Sequence, residues 1–292
     1  MDILYKRLSE LPVTVVSDLW NASFEGYMVN ASMPLERFLA RVTNDELCLK
    51  RSLACYVDGQ PAGIILNSFR ELEGITIARN GGTAIGPDHR GKGLGKTTME
   101  YNLALYKEEQ VKRAYLEAIS TNAPAIRLYE SVGYSIVDRL LIMTCEQLRL
   151  DDGGSGRSAY SVVRGHAAEV LAIPYYSSGV VWQSDVPNLK DAECVKVYDG
   201  DEQVGYGLFK RTFDDKGVLA GITLFRCEAA PGRRDAGDVI RAALYAILQP
   251  KDRCRRTAFN IRATQEELVH ILQEIGFTGS MEQVLMLWEP ES

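Results

Sequence analysis

Histidine is scarce in this chain, with three residues in 292: His89, His166 and His270. His166 and His270 read without a Cys, Asp or Glu partner at ligand spacing, so no metal is expected. The six cysteines (Cys48, Cys55, Cys145, Cys194, Cys227 and Cys254) include no C-x-x-C, which argues against a zinc site or a disulfide framework. They read as small buried hydrophobes of a reducing compartment. No apolar run approaches the roughly 18 residues of a membrane-spanning helix. The opening Met1-Asp2-Ile3-Leu4-Tyr5-Lys6-Arg7 lacks the layout of a secretion signal. A cytoplasmic chain with no membrane partner is therefore expected, and the glycosylation-like Asn21-Ala22-Ser23 and Asn30-Ala31-Ser32 are coincidental. Positive charge is in deficit: 33 Lys and Arg against 39 Asp and Glu give a net charge of −6. That speaks against a nucleic-acid partner and is compatible with a cationic ligand.

Against these absences stands Arg90-Gly91-Lys92-Gly93-Leu94-Gly95, between a short apolar strand and an amphipathic helix. Glycine lets a backbone approach a ligand with no Cβ in the way. The free N–H groups and dipole at a helix start attract an anion, and a pyrophosphate is the natural guest. Three phosphate loops compete. The nucleotide-triphosphatase spacing G-x-x-x-x-G-K-[ST], anchored on Gly95-Lys96-Thr97, needs glycine at position 90, where Arg90 stands. The dinucleotide fingerprint G-x-G-x-x-G fails because Gly93 and Gly95 are too close. The third pattern, [QR]-x-x-G-x-[GA], is met by Arg90, Gly93 and Gly95. Farther on comes a strand and then N-x-x-A-x-x-[LF]-Y-x-x-x-G-[FY], met by Asn122, Ala125, Leu128, Tyr129, Gly133 and Tyr134. Two signatures in this order, a helix apart, resemble those of the GCN5-related N-acetyltransferases, the GNAT superfamily, over roughly residues 24–145.

The resemblance implies an acyltransferase that passes an acetyl group from the cosubstrate acetyl-coenzyme A to a primary amine. The amine attacks directly in a ternary complex, with no metal. The resemblance also implies that backbone N–H groups around Ile85 and at Arg90, Gly91, Lys92, Gly93, Leu94, Gly95 and Lys96 bind the pantetheine and pyrophosphate. Tyr129 becomes the acid toward the departing thiolate, a task open to a phenol of pKa about 10. Asn122 would bond the pantetheine arm or an ordered water where strands 4 and 5 splay. For the base, strand alternation puts Glu117 on the face opposite Leu116 and Ala118. Glu117 is the first candidate, ahead of Glu25 in Phe24-Glu25-Gly26-Tyr27, and a solvent-exposed structural carboxylate is the plain reading of both. His89 reads as an exposed loop residue and Trp182 as an aromatic core anchor. The rival class is a coenzyme-A-binding sensor or scaffold without turnover. The acceptor, a small-molecule or peptide amine, is not coded in the segments 20–39 and 67–82 that set specificity in the family.

The chain is longer than one domain of about 100–200 residues. The polar, glycine-rich stretch 151–158 reads as a linker between a catalytic domain, 1–150, and a second domain, 159–292. The expected fold class is mixed α/β: two tandem domains, each a mostly antiparallel central sheet flanked by helices. In the first, 48–57 and 63–67 read as hairpin strands about Asp58-Gly59, and 82–86 as a short strand. Residues 95–110 read as a helix with Met99, Leu103 and Tyr106 on one face, 115–121 as a buried strand, 125–132 as a helix closed by Gly133, and 135–144 as the last strand. Sliding the sequence by 143 residues lays Gly276-Phe277 on Gly133-Tyr134 and Arg233 on Arg90. A helix at 238–248 and a capping box of Thr264 and Glu267 extend the repeat. In the copy, Ala236 and Asp238 replace Gly93 and Gly95, Gln265 replaces Asn122, and Leu272 replaces Tyr129. The second half is therefore expected to be degenerate, to bind no coenzyme A, and to complete or cover the first site. The fused pair either imitates in a monomer the dimer of single-domain relatives or forms a homodimer.

Overall fold

The computed structural model describes residues 2–150 and 160–290, so the expected linker at 151–158 lies outside the described residues. The chain forms two compact units, Met1–Val137 with Val284–Ser292, and Asp138–Gln283. These bounds differ from a division at 150 because the last strand of each half is counted largely or partly with the other unit. Residues 284–288 belong to the first unit and residues 138–145 to the second.

The elements run β1 (Ile3–Arg7), α1 (Val13–Ser23), α2 (Leu35–Asn44), β2 (Leu53–Val57), β3 (Gln60–Leu72), β4 (Ile75–Ile85), α3 (Leu94–Glu108), β5 (Val111–Ile119), α4 (Ala123–Glu130) and β6 (Ser135–Cys145). They continue as β7 (Ser161–His166), β8 (Glu193–Asp199), β9 (Glu202–Phe213), β10 (Leu219–Ala229), α5 (Ala236–Leu248), β11 (Arg255–Arg262), α6 (Glu266–Glu274) and β12 (Thr278–Trp288). The short strand expected at 82–86 is the end of the longer β4. The one expected from 48 starts at Leu53, after a 3-10 turn at Leu49–Arg51.

In the first unit the sheet order is β1-β2-β3-β4-β5, followed by the 284–288 end of β12. It is antiparallel through β4, and β4 and β5 then pair in parallel. That pairing ends at Asn80 opposite Leu116, and the strands part. A bulge marks the place. Gly82 faces Leu66 and Asn80 faces Asn67, leaving Gly81 as the extra residue, while Asn80 Oδ1 accepts the Gly82 N–H at 3.0 Å. Close packing fixes the next glycine, since a Cβ on Gly82 would lie 2.8 Å from the ring of Trp20 on α1. The expected apolar face of α3, Met99, Leu103 and Tyr106, is buried against Val111, Ala114 and Leu116 on one side of the sheet. Trp20, Phe38 and Leu47 pack with Ile64 and Leu66 in a separate cluster.

The second unit repeats this plan as β7-β8-β9-β10-β11 followed by the 138–145 part of β6, again with one parallel pair, β10 with β11. A shift of 143 residues lays β6 on β12 end to end. Three 3-10 turns (Ala167–Ala172, Trp182–Ser184 and Val186–Asn188) stand where the first unit has α1 and α2. Trp182 is fully buried there, in the core. The expected capping box does not form. Gln265 is the N-cap of α6 and makes no side-chain cap, because the Thr264 hydroxyl donates to Asp138 Oδ2 at 2.7 Å instead. Among the described residues no helix is long and apolar enough to cross a membrane.

Candidate active site

The glycine loop leads straight into α3. Gly91 and Gly93 have φ of 74° and 80°, and Gly93 is the N-cap. A Cβ at either position would meet nothing within 4 Å, so the left-handed backbone, not crowding, requires glycine there. The Lys96 and Thr97 N–H groups both reach Gly93 O. The N–H groups ahead of them, at the first turn, have no acceptor within the helix and meet the positive end of its dipole. Buried Leu94 anchors the turn. Lys92 Nζ donates to Asp88 O at 2.7 Å, and Lys96 sits 3.9 Å from Glu100 in an exposed pair.

Arg90 begins the loop and is exposed. Its guanidinium is bound to the protein: Nε donates to Ile85 O at 2.8 Å, and Nη2 donates to Ser23 O at 3.1 Å and Glu25 O at 2.6 Å. The side chain ties the end of α1 and the loop after it to the end of β4.

Beside this loop lies a cleft of about 290 Å³, lined among others by Tyr27, Ile85, His89, Gly95, Leu128 and Tyr129. Tyr129 projects from α4 and is 8% exposed. Burial pushes its phenol well above the ordinary tyrosine range; neighbouring Tyr27 adds to the rise and the Thr83 hydroxyl opposes it. Asn122 caps α4 with Oδ1, which accepts the Ala125 N–H at 3.3 Å, while Nδ2 donates to Tyr27 Oη at 3.1 Å. The structure thus gathers Ile85, Arg90, Gly91, Gly95 and Tyr129 around one cleft, with Asn122 joined to it through Tyr27. Lys92, Gly93, Leu94 and Lys96 are not in its lining. His89 lines it, half-buried, and is not simply exposed. Tyr27 was not legible as a site residue, because it lies in an irregular segment without periodicity. The one local signal was its nearness to Phe24, whose ring it meets edge-on at 5.2 Å.

Glu117 is not the solvent-exposed carboxylate of the plain reading. It does face away from Leu116 and Ala118, but its side chain is 4% exposed and gripped by Arg79, with Nε at 2.9 Å and Nη2 at 2.8 Å from Oε2. Arg79 in β4 stands opposite Tyr115, so Glu117 is its diagonal neighbour on the same sheet face. Burial pulls the Arg79 pKa down, yet Glu117 and Asp45 more than offset it and the net shift is upward. Asp45 lies 3.7 Å from Arg79 and 3.4 Å from Arg41, which stacks on Trp20 and donates to Gly81 O at 2.6 Å. A carboxylate held by a buried guanidinium fastens β5 to β4. Glu25, by contrast, is exposed.

In the second unit Arg233, the counterpart of Arg90, is bound by Asp235 at 2.6 Å and Asp199 at 3.0 Å. His270 does have a partner, Glu274 Oε1 at 3.1 Å. Among the described residues no group of three or more His, Cys, Asp or Glu could hold a metal ion.

Residues 15–134 match the profile of the Acetyltransferase (GNAT) family. Streptothricin acetyltransferase of Streptomyces lavendulae is 35% identical over 89 residues, covering 28% of this chain and 43% of that protein. The chain thus spans less than half the length of that relative. Two solved structures resemble the whole chain at lower identity. A tandem GNAT protein from the clavulanic acid biosynthesis pathway is 14% identical with a TM-score of 0.60, covering all of both chains. A GCN5-related N-acetyltransferase of Sphaerobacter thermophilus is 14% identical with a TM-score of 0.61, over 98% of this chain and 95% of that one. At such identity the likeness is one of fold.

Proposed function

Residues 15–134 belong to the Acetyltransferase (GNAT) family, and from that premise we propose that the protein acetylates a primary amine at the cleft of its first unit. The observation that carries this reading is Tyr129, a buried neutral phenol in a cleft that opens beside a glycine-started helix. Acetyl-coenzyme A supplies the activated acetyl group. The residues present fit it: the backbone N–H groups at 91–95 would hold the pyrophosphate, and Ile85, Pro124 and Leu128 in the cleft wall would line the apolar part of the arm. Tyr129 Oη holds the proton that the departing thiolate needs, and its raised pKa keeps it neutral at physiological pH. For the proton of the attacking amine, His89 lines the cleft and Glu25 lies with Tyr27 on a neighbouring cavity, while Glu117 is paired with Arg79. The streptothricin acetyltransferase likeness favours a small-molecule acceptor over a peptide. All six cysteines are unpaired, as suits a cytoplasmic setting.

Release of free thiol from acetyl-coenzyme A with a panel of amines tests this directly. Turnover is expected with at least one small amine and should fall markedly in Tyr129→Phe while acetyl-coenzyme A binding is kept. Tight binding with no turnover for any amine would instead identify a non-catalytic coenzyme A sensor.

A further inference from the structure

The second unit keeps a cleft of its own, where β10 and β11 part after Leu224 and Ala258. β11 bulges at this point. Its register jumps between Ala258 and Ile261, and Asn260 has φ 55°, a left-handed conformation that asparagine adopts more readily than most residues. Asn260 thereby joins the wall of a cavity of about 100 Å³, together with Ser184, Arg226, Glu228, Arg262 and Gln265. It is 2% exposed; Nδ2 donates to Gln183 Oε1 at 3.3 Å, and Oδ1 has no hydrogen-bond partner. A buried acceptor without a donor is costly, and an N–H or O–H from a ligand would satisfy it.

Glu228 and Gln265 also line an adjoining cavity of about 480 Å³, walled by Glu266, Glu267 and Arg233. The cations around both cavities have carboxylates beside them. Arg226 lies 3.9 Å from buried Asp185, Arg262 is bound to Asp138 at 2.7 Å, and Arg233 is bound to Asp235 and Asp199. Glu228 Oε1 accepts from Gln265 Nε2 at 3.2 Å and its charge faces Arg226, but it has no ion pair within contact distance among the described residues, nor have Glu266 and Glu267; Asp238 adds a further charge in the first turn of α5. Where the first unit offers N–H groups to an anion, the second offers carboxylates and an unpaired carbonyl. We propose that this cleft binds a linear aliphatic diamine. One ammonium sits between Asn260 Oδ1 and Glu228, and the other lies along Glu266 and Glu267.

Calorimetric titration of the intact protein with putrescine tests this, with n-butylamine and butyrate as controls. Saturable binding is expected, weaker for n-butylamine, absent for butyrate and reduced by added salt. It should fall about tenfold or more in Glu228→Gln and less in Glu266→Gln with Glu267→Gln, two exposed changes that leave the fold intact. Tyr129→Phe should leave it unchanged. Absence of saturable binding would overturn the proposal and give Asn260 Oδ1 to a buried water. So would equal affinity in Glu228→Gln and the double variant at unchanged melting temperature, which would assign the diamine to the first unit.

Discussion

Gly93 starts α3 of the first unit with a left-handed backbone and no side chain. At the same place in the second unit Ala236 starts α5, behind an Asp235 whose carboxylate ties down Arg233. Both units keep the antiparallel run into one parallel pair, the parting of that pair, and a bulge beside it. The two clefts are expected to prefer ligands of opposite charge. The comparison teaches that strand order and cleft are held by the apolar positions beneath α3 and α5. A few residues at the helix start and strand ends, which carry little of the core, decide what the cleft accepts.

The sharpest way to break the comparison is Tyr129→Phe. Loss of a positioned acid should lower kcat by about 10²–10⁴-fold, with the melting temperature nearly kept. Glu117→Gln should do the reverse. Stripping the partner from buried Arg79 should cost about 3–5 kcal/mol of stability, seen as a lower denaturant midpoint, and any surviving activity should keep its pH profile. A changed profile at unchanged stability would restore Glu117 as the base. Gly93→Ala should cost about 1–2 kcal/mol through its φ of 80° and weaken acetyl-coenzyme A, whereas Ala236→Gly should leave that affinity untouched. The smallest effect is on pH dependence. Burial raises the phenols of Tyr106, Tyr129 and Tyr134 in the folded state. Above about pH 10 the unfolded chain releases protons that the folded chain retains, so stability should fall with rising pH there and be flat in this respect below it. Denaturant midpoints between pH 8 and pH 11 would show it.

What was legible in the sequence is what the backbone imposes locally. Gly133 announces a helix end and stands just past α4 with φ 96°, and the glycines of the loop announce a backbone free of Cβ, with positive φ at 91 and 93; the helix cap made by Asn122 was not announced. The face of α3 was legible through its period. The partner of Glu117 was not, because Arg79 lies 38 residues away and meets it only once β4 and β5 are in register. The side-chain partners of Arg90 were illegible for a similar reason. Its motif says where the residue stands, while the carbonyls of Ser23 and Glu25 that claim its guanidinium come from a distant loop. Tyr27 and the Asn260 bulge carry no periodic or turn signal, so only the folded chain reveals them.

The central claim is that one unit, and not the other, takes the coenzyme. Titration calorimetry of acetyl-coenzyme A into the intact chain measures it directly. The expected result is one equivalent per chain, weakened by Gly93→Asp and unaffected by Asp238→Asn. Two equivalents per chain, or a single one that survives Gly93→Asp at full affinity, would contradict it.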